Sequence, residues 1–250
     1  MLSKIEVKPK TEARDILFFR KADFSDKKRE IARVVPLFGA NGSGKTTLLT
    51  AIGKSLTAAA CARHGDAPEF LPESPLILTG ERLPDLYLSY SNRRNNWKTW
   101  KADSYRTAFD PAYISRHMDA RSLSEGQSIV YSAKDLIDGL IPDADGKAEY
   151  QFPDVDTIAL IDELDSGLSL DNLDEMLSGL QKAAAERTDL QVFLSFNNPY
   201  VLRYFPRVFS MYDRRWYTLP DEDAMLDMIR ANEEKLTRAR KAADGSYRIF

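Results

Sequence analysis

The chain has 250 residues, of which 43% are hydrophobic and 29% are charged, and its formal net charge is −3. This composition is ordinary for a globular protein, and the length suffices to bury a substantial core in one large domain or two small ones. The slightly acidic balance excludes a basic surface over the whole molecule, so any nucleic-acid contact must come from a local patch. A single cysteine, Cys61, excludes an internal disulfide framework and predicts a reducing, cytoplasmic location. No stretch approaches the roughly 20 apolar residues of a membrane span, so we expect no membrane insertion.

The first part of the chain predicts an antiparallel β ribbon, followed by a strand, a loop and a helix. Residues 2–8 alternate apolar and polar side chains, residues 16–19 are apolar, and residues 25–30 form a polar turn. The apolar run 34–38 predicts the strand that leads into the loop, and Pro36, which cannot donate to a ladder, marks a bulge or the end of that strand. From about residue 46 to residue 63 the apolar positions recur at helical spacing.

The loop between this strand and this helix matches the pattern G-x-x-x-x-G-K-[ST], in the strand–loop–helix order that a phosphate-binding P-loop requires. Glycines let the backbone curl so that successive N–H groups point at phosphate oxygens, and the helix N-terminus adds its dipole. Lys45 would reach the β- and γ-phosphates, and the Thr46 hydroxyl would bind Mg²⁺. The alternative is a glycine turn that caps an ordinary strand–helix junction. The complete pattern favours nucleoside triphosphate binding by Gly39, Ala40, Asn41, Gly42, Ser43, Gly44, Lys45, Thr46 and Thr47.

Residues 76–121 predict a small inserted subdomain that contains a hairpin. Residues 76–78 read as a short strand, and the aromatic runs 86–91 and 97–101 bracket a turn rich in asparagine and arginine. Basic and aromatic side chains interleave from residue 93 to residue 106, and such a mixture can stack bases and neutralise phosphates. The alternative is a solvated hairpin whose aromatic side chains pack on its own sheet or hold adenine. DNA is therefore one candidate partner.

The second half of the chain alternates predicted helices with buried strands, which is typical of an α/β fold. We expect a helix from about Ser124 to residue 140, a central strand over residues 155–163, a helix over residues 170–184 and a strand over residues 191–196. A closing hairpin over residues 208–219 and a charged helix from residue 221 to about residue 243 follow.

Two acids, Asp162 and Glu163, end the central strand in a Walker B pattern. Asp162 would hold Mg²⁺ from the strand next to the one that feeds the loop, and Glu163 would polarise the attacking water. The alternative, two acids that end a strand at a solvent loop, would be preferred if the P-loop pattern were absent. With that pattern present, the pair predicts the catalytic half of a nucleotide site.

The order of three motifs indicates a family. Residues Leu123-Ser124-Glu125-Gly126-Gln127 differ at one position from L-S-G-G-Q, and they lie between the P-loop and Walker B patterns. In this respect the chain resembles the ABC-type ATPases, and in character the stand-alone SMC, RecF and AAA-like ATP-binding proteins. The resemblance implies a mostly parallel sheet with flanking helices, with ATP and Mg²⁺ as cofactors. It also implies that Ser124, Glu125, Gly126 and Gln127 contact the nucleotide of a second copy in a head-to-tail homodimer.

Two departures from the family pattern concern hydrolysis. Asn197 stands where the family usually has a switch histidine, and an amide can hydrogen-bond a γ-phosphate or water but carries no titratable charge. No glutamine lies between Lys45 and Gln127, so the usual Q-loop glutamine is missing. We expect slow turnover that a partner stimulates, with Glu163, Lys45 and Asn197 as catalytic residues.

Three functions remain open at the level of sequence. The first is an ATPase in DNA maintenance, repair or defence against phage, by analogy with the stand-alone relatives. The second is a nucleotide-sensing scaffold that gates a partner protein such as a nuclease. The third is the nucleotide-binding subunit of a transporter, against which the missing Q-loop glutamine argues.

Overall fold

A computed structural model describes residues 1–7, 21–25, 31–64, 74–80, 83, 86–91, 96–101, 125–151 and 156–242. Within these ranges only the backbone is described at residues 64, 86, 96–101, 125–126 and 235–242. The elements in chain order are β1 (Leu2–Val7), β2 (Lys21–Asp23), β3 (Val34–Phe38), α1 (Lys45–His64), β4 (Leu76–Gly80), β5 (Leu86–Ser91), β6 (Asn96–Lys101), α2 (Glu125–Leu140), β7 (Thr157–Asp162), α3 (Leu170–Glu186), β8 (Leu190–Ser195), a 3-10 helix (Pro199–Arg203), β9 (Arg207–Ser210), β10 (Trp216–Thr218) and α4 (Glu222–Ala242).

A seven-stranded sheet in the order β10-β9-β3-β8-β7-β5-β6 forms the centre of the fold. The five inner strands from β9 to β5 run parallel, and β10 and β6 pair antiparallel at the two edges. Every residue of β7 and of β8 is buried. Parallel strands covered on both faces are apolar over most of their length, which explains why these two segments lack the alternation of a half-exposed strand.

Helices cover the two faces of this sheet. On one face α1 packs Leu48, Leu49, Ile52 and Leu56 against β3, β5 and β7. On the other face α2 and α3 pack against each other and against the sheet through Leu136, Ile137, Leu173, Leu177 and Leu180. The chain is therefore a three-layer α/β structure.

A second sheet of three antiparallel strands, in the order β2-β1-β4, covers the α1 side of the core. Gln191 of β8 attaches it to the central sheet, because its buried amide accepts from the Leu2 N–H at 2.8 Å and donates to the Leu2 carbonyl at 3.0 Å. The Phe24 ring meets Phe193 edge-on and Phe209 at a tilt, with ring centroids 5.0 and 5.1 Å apart. Of the predicted ribbon, the strand over residues 2–8 is confirmed as β1, which pairs with β2 and β4, while the predicted strand 16–19 and residues 26–30 of the predicted turn lie outside the described residues.

Most of the predicted elements are confirmed, and the order of the strands corrects one expectation. We expected the Walker B strand beside the strand that feeds the loop, but β8 lies between β3 and β7 and pairs with both. Pro36 neither ends nor interrupts β3, since it pairs with Leu194 inside the strand, and contact with β9 begins only at Leu37.

The strands of the expected subdomain at residues 76–121 belong to the two sheets. β4 pairs with β1, and β5 is a parallel neighbour of β7 in the central sheet. The expected hairpin is confirmed as the antiparallel pair β5–β6. Residues 102–121 lie outside the described residues.

None of the helices in the described ranges is both long and apolar enough to cross a membrane.

A buried arginine joins the ends of α2 and α3 to the start of β7. Arg187 is 2% exposed and donates to both carboxylate oxygens of Asp189, at 3.2 and 2.6 Å. The same guanidinium donates to the Thr157 hydroxyl at 2.8 Å and to the carbonyls of Tyr150 and Leu140 at 3.2 and 3.4 Å. The planar guanidinium of arginine has five N–H donors and can reach all of these acceptors, whereas the three donors of a lysine lie on a single nitrogen and cannot.

Arg187→Met should lower the free energy of unfolding by about 3 kcal/mol, because it leaves buried acceptors and the Asp189 carboxylate without their donor. Urea unfolding followed by circular dichroism measures this loss. Lys182→Met, at an exposed position of α3, is the matched control and should leave the transition almost unchanged. Equal effects of the two substitutions would contradict the role of the arginine network.

Candidate phosphate-binding site

The residues of the P-loop and Walker B patterns converge where the parallel strands β3, β7 and β8 end. Ligands of open α/β sheets bind at this carboxyl edge. The loop 39–44 leaves β3 there and continues directly into α1, so the first N–H groups of the helix face the same space. The predicted order of strand, glycine loop and helix is therefore confirmed.

The loop follows a tight path that depends on its glycines. Gly42 and Gly44 have φ angles of 80° and 91°, which other residues rarely adopt. A Cβ at Gly39 would lie 2.4 Å from the Ser43 hydroxyl oxygen, too close for a side chain. The Ser43 N–H donates to the Ala40 carbonyl at 3.0 Å and closes the first turn of the loop. The backbone therefore curls back on itself as a phosphate cradle requires.

The lysine of the pattern lies inside this curl. Lys45 is only 6% exposed, and its ammonium donates to the Gly39 carbonyl at 2.5 Å and lies 3.4 Å from the Ala40 carbonyl. A buried ammonium needs such partners, because its desolvation is costly. The two carbonyls fix the position of the positive charge across the mouth of the loop.

A short hydrogen-bond network connects the loop to β7 and β8. The Thr46 hydroxyl donates to Asp162 Oδ1 at 3.0 Å, and the Ser195 hydroxyl donates to the same oxygen at 2.6 Å. Ser195 Oγ also accepts from the Glu163 N–H at 2.8 Å. The structure thus brings Thr46 together with Asp162 and Glu163, which lie 116 and 117 positions after it along the chain. It also adds Ser195, which the sequence analysis did not predict.

The donor set at this network fits Mg²⁺. Asp162 is 4% exposed, and its Oδ2 atom is buried without a hydrogen-bond partner among the described residues. A buried carboxylate oxygen without a hydrogen bond destabilises the fold unless a ligand interacts with it. Magnesium takes oxygen ligands, usually one or two from the protein and the others from phosphates and water. Thr46 and Asp162 would supply the protein oxygens, and no cluster of three or more His, Cys, Asp or Glu ligands occurs in the described ranges.

Glu163 combines burial with an unusual backbone conformation. It is 8% exposed and has a φ angle of 53°, in the left-handed region that costs energy for a residue with a side chain. Strain of this kind persists where the surrounding structure enforces it, and it concentrates at functional sites. The bond from the Glu163 N–H to Ser195 is one of the contacts that enforce it here.

Asn197 lies at the end of β8 and is held through its backbone. The carboxylate of Asp165 accepts from the N–H groups of Asn197 and Asn198 at 2.7 and 2.5 Å, while burial raises the pKa of Asp165. The Asn197 side chain itself is exposed. The sequence analysis does not predict this role of Asp165, because the role depends on contact with Asn197, 32 positions farther along the chain.

The 3-10 helix after Asn197 is tied to α3. The Asp174 carboxylate accepts from the hydroxyls of Tyr200 and Tyr204, at 2.5 Å each, and these bonds hold the pKa of Asp174 below its usual value. Two carboxylates from the segment after β7, Asp165 and Asp174, therefore fix the segment 197–204 at both ends.

The described part of the signature-like segment, residues 125–127, lies at the start of α2, on the face of the sheet opposite α1. Gln127 is exposed there, the backbone of Glu125 and Gly126 begins the helix, and Ser124 lies outside the described residues. Contact of these residues with the nucleotide of a second copy stays a prediction.

The basic residues considered for DNA are only partly described. The positions from 93 to 106 lie outside the described residues or have undescribed side chains. A second basic region follows β8, where Arg203 lies over the ring of Tyr200 at 5.0 Å and Arg207 over that of Trp216 at 4.6 Å. Cation–π packing within the fold therefore accounts for these two arginines.

No protein-family model and no curated protein matches the chain. The assignment of the site therefore depends on the motifs and on the geometry that joins them.

Asp162→Asn should raise the melting temperature of the ligand-free protein, because it removes a buried negative charge whose Oδ2 atom has no partner among the described residues. A gain of about 1 kcal/mol is typical when a functional site is relaxed in this way. The same substitution should abolish any further stabilisation by ATP and Mg²⁺ together. Differential scanning fluorimetry with and without the ligands measures both effects, and a variant that is less stable without ligand would contradict the prediction.

Proposed function

We propose that the chain binds ATP with Mg²⁺ and hydrolyses it slowly at the interface of a head-to-tail homodimer. The observation that carries this proposal is the bond of 3.0 Å between the Thr46 hydroxyl and Asp162, which joins a complete glycine loop to a carboxylate with an unpartnered buried oxygen. ATP is preferred over other nucleoside triphosphates because of the resemblance to ABC-type ATPases.

Different residues of the chain would bind the phosphates, hold the metal and activate the attacking water. The N–H groups of the loop and the first turn of α1 would cradle the phosphate oxygens, and Lys45 would neutralise their charge. Magnesium, held by Thr46 and Asp162, would neutralise the charge that develops on the transferred phosphoryl group. Glu163 follows Asp162 directly and is buried beside it, so its carboxylate would accept the proton of the attacking water.

The dimer completes the site in this proposal. Ser124 and Gly126 of the second copy would contact the γ-phosphate, where a helix N-terminus and a small residue allow close approach to an anion. ATP would then close two copies on each other and its hydrolysis would release them. This cycle would act on DNA or on a partner protein, in DNA maintenance, repair or defence against phage.

A second candidate function is a nucleotide-sensing scaffold with little turnover. Asn197 favours it, since its exposed amide has no titratable charge, while its backbone is fixed by Asp165. Such a protein would report the bound nucleotide to a partner such as a nuclease. The two functions share the binding site and differ in rate, so brisk hydrolysis by the purified chain alone would contradict both the scaffold and the slow dimer.

Lys45→Ala should weaken ATP binding about tenfold to a hundredfold, which is typical for the loss of a hydrogen bond to a charged group. Fluorescence titration with a labelled ATP analogue measures the affinity. Lys54→Ala, at an exposed position of the same helix, serves as the matched control and should bind like the wild type. Equal affinities for all three proteins would refute the assignment of the loop.

Glu163→Gln should bind ATP, fail to hydrolyse it and accumulate as a dimer, because the amide cannot accept the proton from water. Analytical ultracentrifugation with ATP, with ADP and without nucleotide measures the association. The same variant with Gly126→Trp, which blocks close approach of the signature, should stay monomeric. A Glu163→Gln protein that sediments only as a monomer with ATP would rule out the dimer while leaving nucleotide binding intact.

A further inference from the structure

The turn between β9 and β10 forms one wall of the phosphate loop, although the sequence gives it no motif. The Met211 N–H donates to the Phe38 carbonyl at 2.8 Å, and a Cβ at Gly39 would lie 3.2 Å from Met211 Cβ. The next residue, Tyr212, reaches the loop itself, because its hydroxyl oxygen accepts from the Ala40 N–H at 2.8 Å. The turn therefore contacts the chain where it leaves β3 for the phosphate site.

The peptide between Gly39 and Ala40 is held on both sides. Its N–H donates to Tyr212, and its carbonyl, which belongs to Gly39, accepts from the Lys45 ammonium at 2.5 Å. The N–H and C=O of a trans peptide point in opposite directions within one rigid plane. A rotation of this plane that breaks the bond to Tyr212 therefore also turns the carbonyl away from Lys45.

Contacts with Phe38 and within the β9–β10 turn hold Tyr212 in place. Its ring meets that of Phe38 edge-on with centroids 6.2 Å apart, and its N–H donates to the Ser210 hydroxyl at 3.2 Å. The turn is further fixed by the bond of 3.0 Å from the Arg214 N–H to the Ser210 carbonyl. Burial raises the pKa of Tyr212, so the hydroxyl stays protonated at neutral pH. The acceptor for the Ala40 N–H is thus a neutral oxygen at a fixed place.

We propose that Tyr212 is a positioning residue for nucleotide binding, which acts through the Gly39–Ala40 peptide to hold Lys45 at the mouth of the loop. This inference rests on the proposed function, because Lys45 matters only if the loop binds phosphates. Without the hydroxyl, the peptide can turn and the ammonium loses its fixed place. Binding must then also order the loop, and this entropic cost weakens the affinity for the nucleotide.

Tyr212→Phe removes only the hydroxyl and keeps the ring contact with Phe38. The variant should bind the labelled ATP analogue about three- to tenfold more weakly than the wild type, the usual effect of one lost hydrogen bond. Tyr217→Phe is the matched control, since Tyr217 lies in β10 of the same hairpin and its hydroxyl donates to the Asp213 carboxylate. The control should keep wild-type affinity, and the two variants should have similar melting temperatures.

A double-mutant cycle separates this role from a general structural one. If Tyr212 acts through Lys45, then Tyr212→Phe should change affinity less than about twofold in the Lys45→Ala background. An equal effect in both backgrounds would show that the tyrosine stabilises the fold and would overturn the proposal. A wild-type affinity for Tyr212→Phe alone would overturn it as well, while the proposed function would stand. Absence of ATP binding by the wild type would instead reject the proposed function and, with it, this role of Tyr212.

Discussion

The hydrogen bond from the Thr46 hydroxyl to Asp162 Oδ1 connects two parts of the chain that the sequence presents as separate motifs. Thr46 is the second residue of α1 and Asp162 ends β7, and β8 lies between β7 and the strand that leads to Thr46. The bond therefore spans the width of one strand, and Ser195, the last residue of that strand, donates to the same oxygen. This arrangement requires that β3, β8 and β7 lie side by side, parallel and in the correct register. The other features of the site depend on it, because it fixes the loop against the carboxylate that would hold magnesium.

The site concentrates polar groups that are unfavourable in a protein interior. Lys45, Asp162 and Glu163 are all less than 9% exposed, Asp162 Oδ2 has no hydrogen-bond partner among the described residues, and Glu163 has a left-handed backbone. Each feature lowers the stability of the ligand-free fold, and apolar burial along β7, β8 and α1 compensates for it. Magnesium and phosphate oxygens would satisfy the same groups. A buried carboxylate oxygen without a protein partner among the described residues, next to a buried lysine and a strained glutamate, is the physical basis of the proposed nucleotide site.

The sequence predicts the local motifs of the site well, but it does not predict the contacts between residues that are far apart along the chain. The P-loop and the buried strand ending in Asp162 and Glu163 are local patterns whose chemistry depends on spacing, and the fold confirms their elements. The position of β8 between β3 and β7 cannot be read from periodicity, because strand order depends on how connections cross the sheet. The roles of Ser195, Asp165 and Tyr212 are likewise not predicted by the sequence, since each depends on a partner that is distant along the chain. The strands at residues 76–101 were assigned to an insertion because their turn residues and aromatic side chains indicate a hairpin but not its neighbour.

The central claim is that the loop and Asp162 form one binding site for a nucleotide with its metal. Isothermal titration calorimetry of the wild-type chain with ATP, in excess Mg²⁺ and again in excess chelator, tests this claim most directly. The account predicts saturable binding of ATP that is at least about tenfold tighter with Mg²⁺, because Thr46 and Asp162 would hold the metal, which would neutralise phosphate charge. Absence of binding, or equal affinity with and without the metal, would contradict it.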